Sequence, residues 1–328
     1  MAAGTYSNMS IDNDYLATRV NELLAQQGDV FNAASNGALK LSTVSRKGHY
    51  DYKSLFSNVS GLAARRDISS VGSQSDTNLA QVEAIKVKLN RKIIPIGMPR
   101  DAFRKAFGSY SQAEFTDVVA EQAANAMQID MCDSALLGAR AALKQQSASY
   151  LTESSLGSIS TATLIDALKK LGDRADRIVC WVMHSKVYYD LIHSQVNANI
   201  TGVSNFNIAA ASPVTLNRPV LVTDSTSLSS VLASPDVTNY FTLGLVAGAV
   251  EVENTEEQEV VVEDVTGYEN LIVRFQGEYA YNLGVKGFQW DVGNGGINPT
   301  ATNVGLGTNW DTIMTDVKNR AGVCAMTL

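Results

Sequence analysis

The side chains most suited to chemistry are crowded into VCWVMHSKVYYDLIHSQV, residues 179–196. This segment holds Cys180, His184, Ser185 and His193, although the whole chain has only three cysteines and three histidines. A serine beside a histidine, with Asp224 ending a later strand, would suit nucleophilic catalysis. A cysteine and two histidines would suit zinc. The question is whether the local elements bring these groups together.

The elements that carry these residues argue against both kinds of site. RIVCWVM is a continuous apolar run that predicts a buried strand, and SKVYYDLIHSQ predicts a helix that Ser185 caps. Adjacent residues leaving a strand point in different directions, so His184 is badly placed to act as a base for Ser185. A zinc site would have a single cysteine in reach and no CxxC pair. We therefore predict no catalytic, cofactor-binding or metal-ligating residue, and no cofactor.

The predicted role of the segment is structural. Cys180 and Trp181 are expected in a buried strand, with Val187 and Leu191 of the following helix facing inward. Whether His184 or His193 faces another subunit stays open. In that position either would make assembly sensitive to pH.

The composition is that of a globular protein with a small charged surface. Of 328 residues, 45% are hydrophobic and only 18% are charged, which favours extensive burial by partners. Three widely spaced cysteines argue against a disulfide framework. The first 20 residues show no signal-peptide pattern. No apolar run approaches the roughly 18 residues that a membrane span needs.

Opposite charges are segregated along the chain. Residues 40–105 hold 13 Lys or Arg against five acids, whereas residues 243–270 hold eight acids and no base. Such polarity predicts that one part of the molecule meets another part, or another copy. The alternative is two solvated faces of a monomer. The acidic segment is less suited to a calcium site than to a solvated or partner-facing edge. Few aromatic residues lie between the basic residues of the basic segment, which argues against a protein dedicated to binding nucleic acid.

The elements follow a recognisable order. The pattern predicts a short helix over 12–27, then strands over 47–56 and 81–92 that flank a polar connection of about two dozen residues, too long for an ordinary hairpin loop. A capped helix follows from Ser111 to about Gln146. Residues 155–240 are typical of an α/β domain, including a second buried strand in RPVLVTDS. Residues 240–292 are rich in strands, with a hairpin expected near Asn254–Thr255, and GVCAMTL predicts a final strand.

This order resembles the major capsid protein of tailed bacteriophages, which has the Hong Kong 97-type fold. The resemblance rests on VKLNRKIIPIGMP leading into the long helix, and on TLIDALKKLGDRADRIVCWVMHSKVYYDL. It implies an α+β fold with a long spine helix, an extended β-arm (the E-loop) and an α/β axial domain. The implied segments are an N-terminal arm (1–39), the E-loop with its approach strands (40–105), the spine-helix part of the peripheral domain (106–154), the axial domain (155–240), and a β-rich return through both domains (241–328).

The resemblance implies assembly as the function. Hexamers and pentamers would close an icosahedral shell around a phage genome, assembled in the bacterial cytoplasm and found in the virion. Implied partners are other copies, separate scaffolding and portal proteins, possible decoration proteins, and double-stranded DNA contacted non-specifically, with no membrane. The residues expected at contacts between subunits are Arg65, Arg66, Lys86, Lys88, Arg91, Lys92, Glu251, Glu253, Glu256, Glu257 and Glu259. An encapsulin-like nanocompartment and, more remotely, a soluble α/β hydrolase remain as alternatives.

Overall fold

The computed structural model describes the chain except for residues 1–17, 27, 30–31, 34, 45–46, 57–61, 102–104, 106–111, 153–156, 201–214, 234–235 and 256–258. The described part contains two six-stranded sheets joined by one long helix, α1 (Gln112–Gln145). None of its helices is long and apolar enough to cross a membrane.

The first sheet, called the arm sheet below, has the order β1-β9-β11-β3-β2, with β10 also paired to β11. Its strands are β1 (Leu39–Thr43), β2 (Tyr50–Phe56), β3 (Gln81–Pro99), β9 (Val250–Asn254), β10 (Glu259–Val265) and β11 (Ile272–Val285). β2 and β3 pair antiparallel from Tyr50 opposite Val87 to Phe56 opposite Gln81. The predicted two-stranded arm is therefore confirmed.

The second sheet has the order β4-β14-β8-β5-β6, with β7 also paired to β8. Its strands are β4 (Tyr150–Thr152), β5 (Ile178–His184), β6 (Val220–Thr223), β7 (Ser229–Ala233), β8 (Asp236–Val246) and β14 (Gly322–Thr327). A separate ribbon pairs β12 (Phe288–Trp290) with β13 (Trp310–Thr312). The shorter helices are α2 (Thr161–Lys169), α3 (Ser185–Ile200), α4 (Val292–Gly295) and α5 (Ala301–Val304).

The long helix α1 confirms the helix predicted from Ser111 to about Gln146. It is about 50 Å long at the usual rise per residue. An apolar stripe with a period of four residues is buried along it, at Val119, Ala123, Met127, Met131, Ala135 and Ala139. The expected cap at Ser111 lies outside the described residues. Near the end of the helix, Nη1 of Arg140 donates to the carbonyl oxygens of Ser227 (2.6 Å) and Ser229 (2.9 Å). These contacts attach α1 to the second sheet at the start of β7.

The α/β region follows the predicted order. Helix α2 begins with a capping box between Ser160 and Thr163, and the chain reverses at Gly172, whose φ of 57° favours glycine. β5 is a strand, and Cys180 and Trp181 are fully buried in it, as are Val187 and Leu191 of α3. The predicted strand β6 exists, but the expectation that it is buried is wrong. It forms an edge of the second sheet, and Val222 is 40% exposed.

The predicted hairpin near Asn254–Thr255 is wrong. β9 and β10 do not pair with each other. Both pair with β11, one after the other: Asn254 lies opposite Tyr281, and Glu259 lies opposite Glu278. β11 has 14 residues, enough to pair with both, so the valines of β9 and β10 continue one alternating pattern along the same neighbour. Of the predicted N-terminal helix, residues 18–26 are helical and Val20 is buried, while 12–17 lie outside the described residues.

Candidate assembly surfaces

The Ser–His–Asp arrangement does not form. The hydroxyl of Ser185 donates directly to the carboxylate of Asp224, with no histidine between them. The ring of His184 packs against Tyr240 at 4.9 Å between centroids, and its Nδ1 accepts the backbone N–H of Lys186 at 3.2 Å. The predicted cap at Ser185 is therefore replaced by one at His184. The Ser185 hydroxyl thus bonds to a carboxylate and not to His184, so the Ser–His–Asp relay of a nucleophilic catalyst is not formed by these residues.

The cysteine and the second histidine do not complete a metal site. Cys180 is buried, and burial raises the pKa of its thiol, which disfavours the thiolate that metals bind. His193 lies on the exposed side of α3. Among the described residues, no group of three or more His, Cys, Asp or Glu side chains is arranged to hold a metal ion.

A part-buried charge contact lies at the root of the arm, around Lys86. Nζ of Lys86, on β3, is 2.6 Å from Oε2 of Glu251 and 2.8 Å from Oε1 of Glu253, both on β9. β11 lies between these strands, and its Gly284 leaves room for the lysine stem. A Cβ at Gly284 would come within 2.8 Å of Cγ of Lys86. The Lys86 side chain therefore connects β3 to β9 across β11, and we call this contact the Lys86 clamp.

The electrostatics of this clamp favour the charged forms. Burial alone would lower the pKa of Lys86, but the hydrogen bonds and charges of Glu251 and Glu253 outweigh it and raise that pKa. Burial likewise opposes ionisation of Glu251, but Lys86 lowers the pKa of that carboxyl below its usual value. The basic and acidic segments singled out by the sequence therefore meet within one chain here. Contact of these residues with another subunit stays a prediction.

A second polar cluster joins the arm sheet to α1. Nε of Arg91 lies 3.2 Å from Oδ2 of Asp130, and the hydroxyls of Tyr279 and Tyr281 each lie 2.9 Å from the same oxygen. Nη2 of Arg91 and the Tyr281 hydroxyl also contact Oγ of Ser134, at 3.2 Å and 2.9 Å. Burial, followed by the negative charge of Asp130, raises the pKa of both tyrosines. Asp130 therefore connects α1 to β3 and β11.

Replacing Asp130 with alanine is expected to lower the free energy of unfolding by about 2–4 kcal/mol, because two largely buried hydroxyls and a guanidinium lose their acceptor. Urea denaturation followed by circular dichroism measures this change. Asp133→Ala, three residues further along α1, is the matched control and should change stability much less. Equal losses for the two variants would show that Asp130 does not hold the helix to the sheet.

The connection between β2 and β3 exposes apolar side chains. Residues 62–80 form no strand and are exposed, including Ile68 at 86% and Val71 at 103% of full exposure. Arg65 and Arg66 lie beside them and are exposed too. Large apolar side chains held this far from any core are typical of a segment that is covered by a partner.

The remaining residues predicted at contacts between subunits differ in how far they are buried. Lys88 is buried in the arm sheet, at 3% exposure, whereas Lys92 and Glu259 are exposed. Glu256 and Glu257 lie outside the described residues.

Comparison with protein families gives a match along nearly the whole chain. The model of the major capsid protein 13-like family (Gp13-like) matches residues 8–324. The chain belongs to the major capsid protein 13-like family. It is a virion component with a shell-forming role. No curated protein matches it in sequence.

Solved capsid structures share the fold of this family member. The cyanophage Pam1 capsid protein has a TM-score of 0.52 at 11% identity, over 86% of this chain and 85% of that one. The acid-stable capsid of Helicobacter pylori bacteriophage KHP30 gives 0.50 at 10% identity, over 89% and 88%. Mycobacterium phage Adephagia gives 0.50 at 9% identity, over 90% and 89%. At these identities the likeness shows the fold alone, and it confirms the predicted α+β capsid fold.

Some residues that organise this capsid protein were not singled out from the sequence. Neither Asp130 on the long helix nor Tyr279 and Tyr281 on their strand stands out in the local sequence pattern. Their shared contact depends on how that strand meets α1, which no local pattern encodes. Gly284 did carry a signal, because a glycine inside a strand often marks a close approach by another group.

Proposed function

We propose that this capsid protein assembles into hexamers and pentamers that close an icosahedral shell around a double-stranded phage DNA genome. The observation that carries the proposal is the exposed arm, which presents apolar side chains that a single subunit leaves uncovered. A second copy beside the first would cover them and would present the same arm in turn, which is how a closed symmetric assembly repeats one interface.

The segments then take the following roles. Residues 40–105 form the E-loop and its approach strands, 106–154 the spine helix of the peripheral domain, and 155–240 most of the axial domain. Residues 241–328 return through both domains, and 1–39 form an N-terminal arm. Support for this division comes from the two sheets, because the strands within residues 40–105 (β1, β2 and β3) all pair in the arm sheet, and those within residues 178–246 (β5 to β8) all pair in the second sheet.

Apolar burial supplies most of the affinity between copies, and charge sets their orientation. Arg65, Arg66 and Lys92 are exposed and are therefore suited to orienting neighbouring copies. Lys86 and Arg91 hold the arm in place within their own subunit. The protein acts as a structural component without an enzymatic step. Its further partners are separate scaffolding and portal proteins, possible decoration proteins, and packaged DNA contacted non-specifically.

Electron microscopy of the purified protein tests the proposal. After expression in bacteria, we expect uniform closed shells several hundred ångströms across in negative stain, with five-fold and six-fold clusters in class averages. Particles of one to six subunits under all conditions of salt and concentration would contradict it. Nucleic acid protected from nuclease in phage particles, and not a packaged protein cargo, separates a genome capsid from a nanocompartment.

A further inference from the structure

A cavity at the root of the arm is ringed by lysines. It has a volume of about 570 Å³ and lies beside the Lys86 clamp. The lysines come from β1, β2, β3 and the turn after β11, and they are Lys40, Lys53, Lys86 and Lys286. Four separate parts of the chain thus direct positive charge to one opening.

The positive charge in this cavity exceeds the negative charge. Lys86 is shared between Glu251 and Glu253, so these three groups carry one net negative charge. Among the described residues, neither Lys40 nor Lys53 has a carboxylate within ion-pair distance, and both lie close enough to Glu251 to lower its pKa. Asp51, opposite Lys86 on β2, adds one negative charge.

Lys286 adds a further positive charge to the cavity. Within the part of the chain that the structure describes, its ammonium donates to the carbonyl of Ala247 alone, at 3.1 Å. Burial, followed by the charge of Arg177, lowers the pKa of Lys286. The cations near the opening, with Arg177 counted, outnumber the three carboxylates, so an anion arriving from outside would be attracted.

The floor of the cavity is apolar. Leu55, Phe288, Ile313 and Met314 line it, and Phe288 is only 3% exposed. An inorganic anion or a nucleic-acid phosphate needs no apolar floor. The lining instead fits a peptide that places an apolar side chain between carboxylates.

The chain carries such a surface on β10. Its outward side chains are Glu259, Val261 and Glu263, whereas Val260 and Val262 point to the core. Alternate residues of a strand lie about 7 Å apart, so the two carboxylates flank the valine at about that spacing. Glu259 lies directly opposite Glu278 of β11, which in turn faces Lys92 of β3, and Glu263 faces Arg274. Three carboxylates against two bases leave this face with an excess of one negative charge.

A subunit cannot bring its own β10 to its own cavity. β10 pairs with residues 272–278 of β11, whereas the cavity is lined by Gly284 and Val285 of the same strand. Six residues of strand separate Glu278 from Gly284, which is about 20 Å. The acidic strand and the lysine cavity can therefore meet only between two copies.

We propose that the outer face of β10 in one copy docks on the lysine cavity of a second copy, with Val261 on the apolar floor and Glu259 and Glu263 beside Lys40 and Lys53. This inference rests on the proposed assembly of the chain into shells, and it names a contact that closes them.

Charge reversal on each side, followed by reversal on both, tests the contact. Lys40→Glu with Lys53→Glu is expected to reduce the yield of shells at least tenfold, and Glu259→Lys with Glu263→Lys to do the same. The quadruple variant restores opposite charges and should recover most of the yield. Lys40→Arg with Lys53→Arg keeps the charge and is the matched control. Val261→Ser leaves the charge unchanged and should also lower the yield.

The outcomes separate this contact from the proposed function. Normal shells from both reversed pairs would overturn the docking and leave the shell-forming role intact. Loss in both pairs without recovery in the quadruple variant would also overturn it, provided that thermal melting shows folded subunits. A failure of the unmodified chain to form shells under any condition would overturn the proposed assembly and the docking together.

Discussion

Replacing Lys86 with glutamate is expected to lower the free energy of unfolding of the subunit by about 3–5 kcal/mol, the cost typical of leaving buried charges without their partner. The side chain of Lys86 is 13% exposed, and that of Glu253 is 11% exposed. The reversal would place three carboxylates beside one another at the root of the arm, where little water screens them.

Urea denaturation of the unassembled subunit measures this effect. Lys92→Glu is the matched control, because Lys92 lies on the same strand and is exposed. It places a like charge opposite Glu278 at the surface and should change stability by about 1 kcal/mol or less. Lys86→Met keeps the stem over Gly284 and removes only the charge, so its loss should be smaller than that of the reversal. If Lys86→Glu and Lys92→Glu unfold alike, the clamp contributes nothing to the fold.

The internal role of Lys86 limits which basic residues of the arm can test contacts between subunits. Reversing Lys86, Lys88, Arg91 and Lys92 together would block shells, but chiefly by destabilising the subunit, because Lys86 and Arg91 form ion pairs inside it and Lys88 is buried. Only Lys92 of the four is exposed. Arg65, Arg66 and Lys92 are therefore the residues whose reversal reports on contacts between copies.

Elements with a sustained period were predictable from sequence, and their long-range partners were not. The stripe from Val119 to Ala139 and the apolar run of β5 each contain enough repeats to indicate one kind of element. The false hairpin at Asn254–Thr255 shows the limit of local patterns. Two alternating segments with a polar break are compatible with pairing to each other or with pairing in turn to a third strand. Only the position of β11 decides between them.

The Lys86 clamp could not be predicted for the same reason. The charge segregation indicated that the two segments attract, but Lys86 and Glu251 are 165 positions apart in the chain. Whether they meet within one subunit or between two depends on strand order. The structure places β3 and β9 on either side of β11, and the small residue at position 284 lets one lysine cross between them. Side-chain placement of this kind follows from the sheet and not from the local sequence.

Removing the tip of the arm is expected to abolish shells and leave the subunit folded. Phe56 and Gln81 are direct cross-strand partners, so residues 57–80 can be replaced with Asn-Gly, a two-residue turn that suits antiparallel strands. We expect the free energy of unfolding to stay within about 1 kcal/mol of the unmodified value, because residues 62–80, most of the deleted segment, are exposed and contribute little packing. We expect the yield of shells, counted by electron microscopy and sedimentation, to fall at least a hundredfold.

The size of this effect follows from what the arm exposes. Leu62, Ile68, Val71 and Leu79 are between 58% and 103% exposed, and burying four such side chains on a neighbour would contribute about 6 kcal/mol per arm. A variant that keeps the arm at full length but changes these four residues to serine shows whether assembly depends on the length of the arm or on the burial of its apolar side chains. If burial supplies the affinity, the serine variant should fail to assemble as the shortened arm does. Shells from the shortened arm would contradict the role of the arm outright, because each subunit would then close the shell without it.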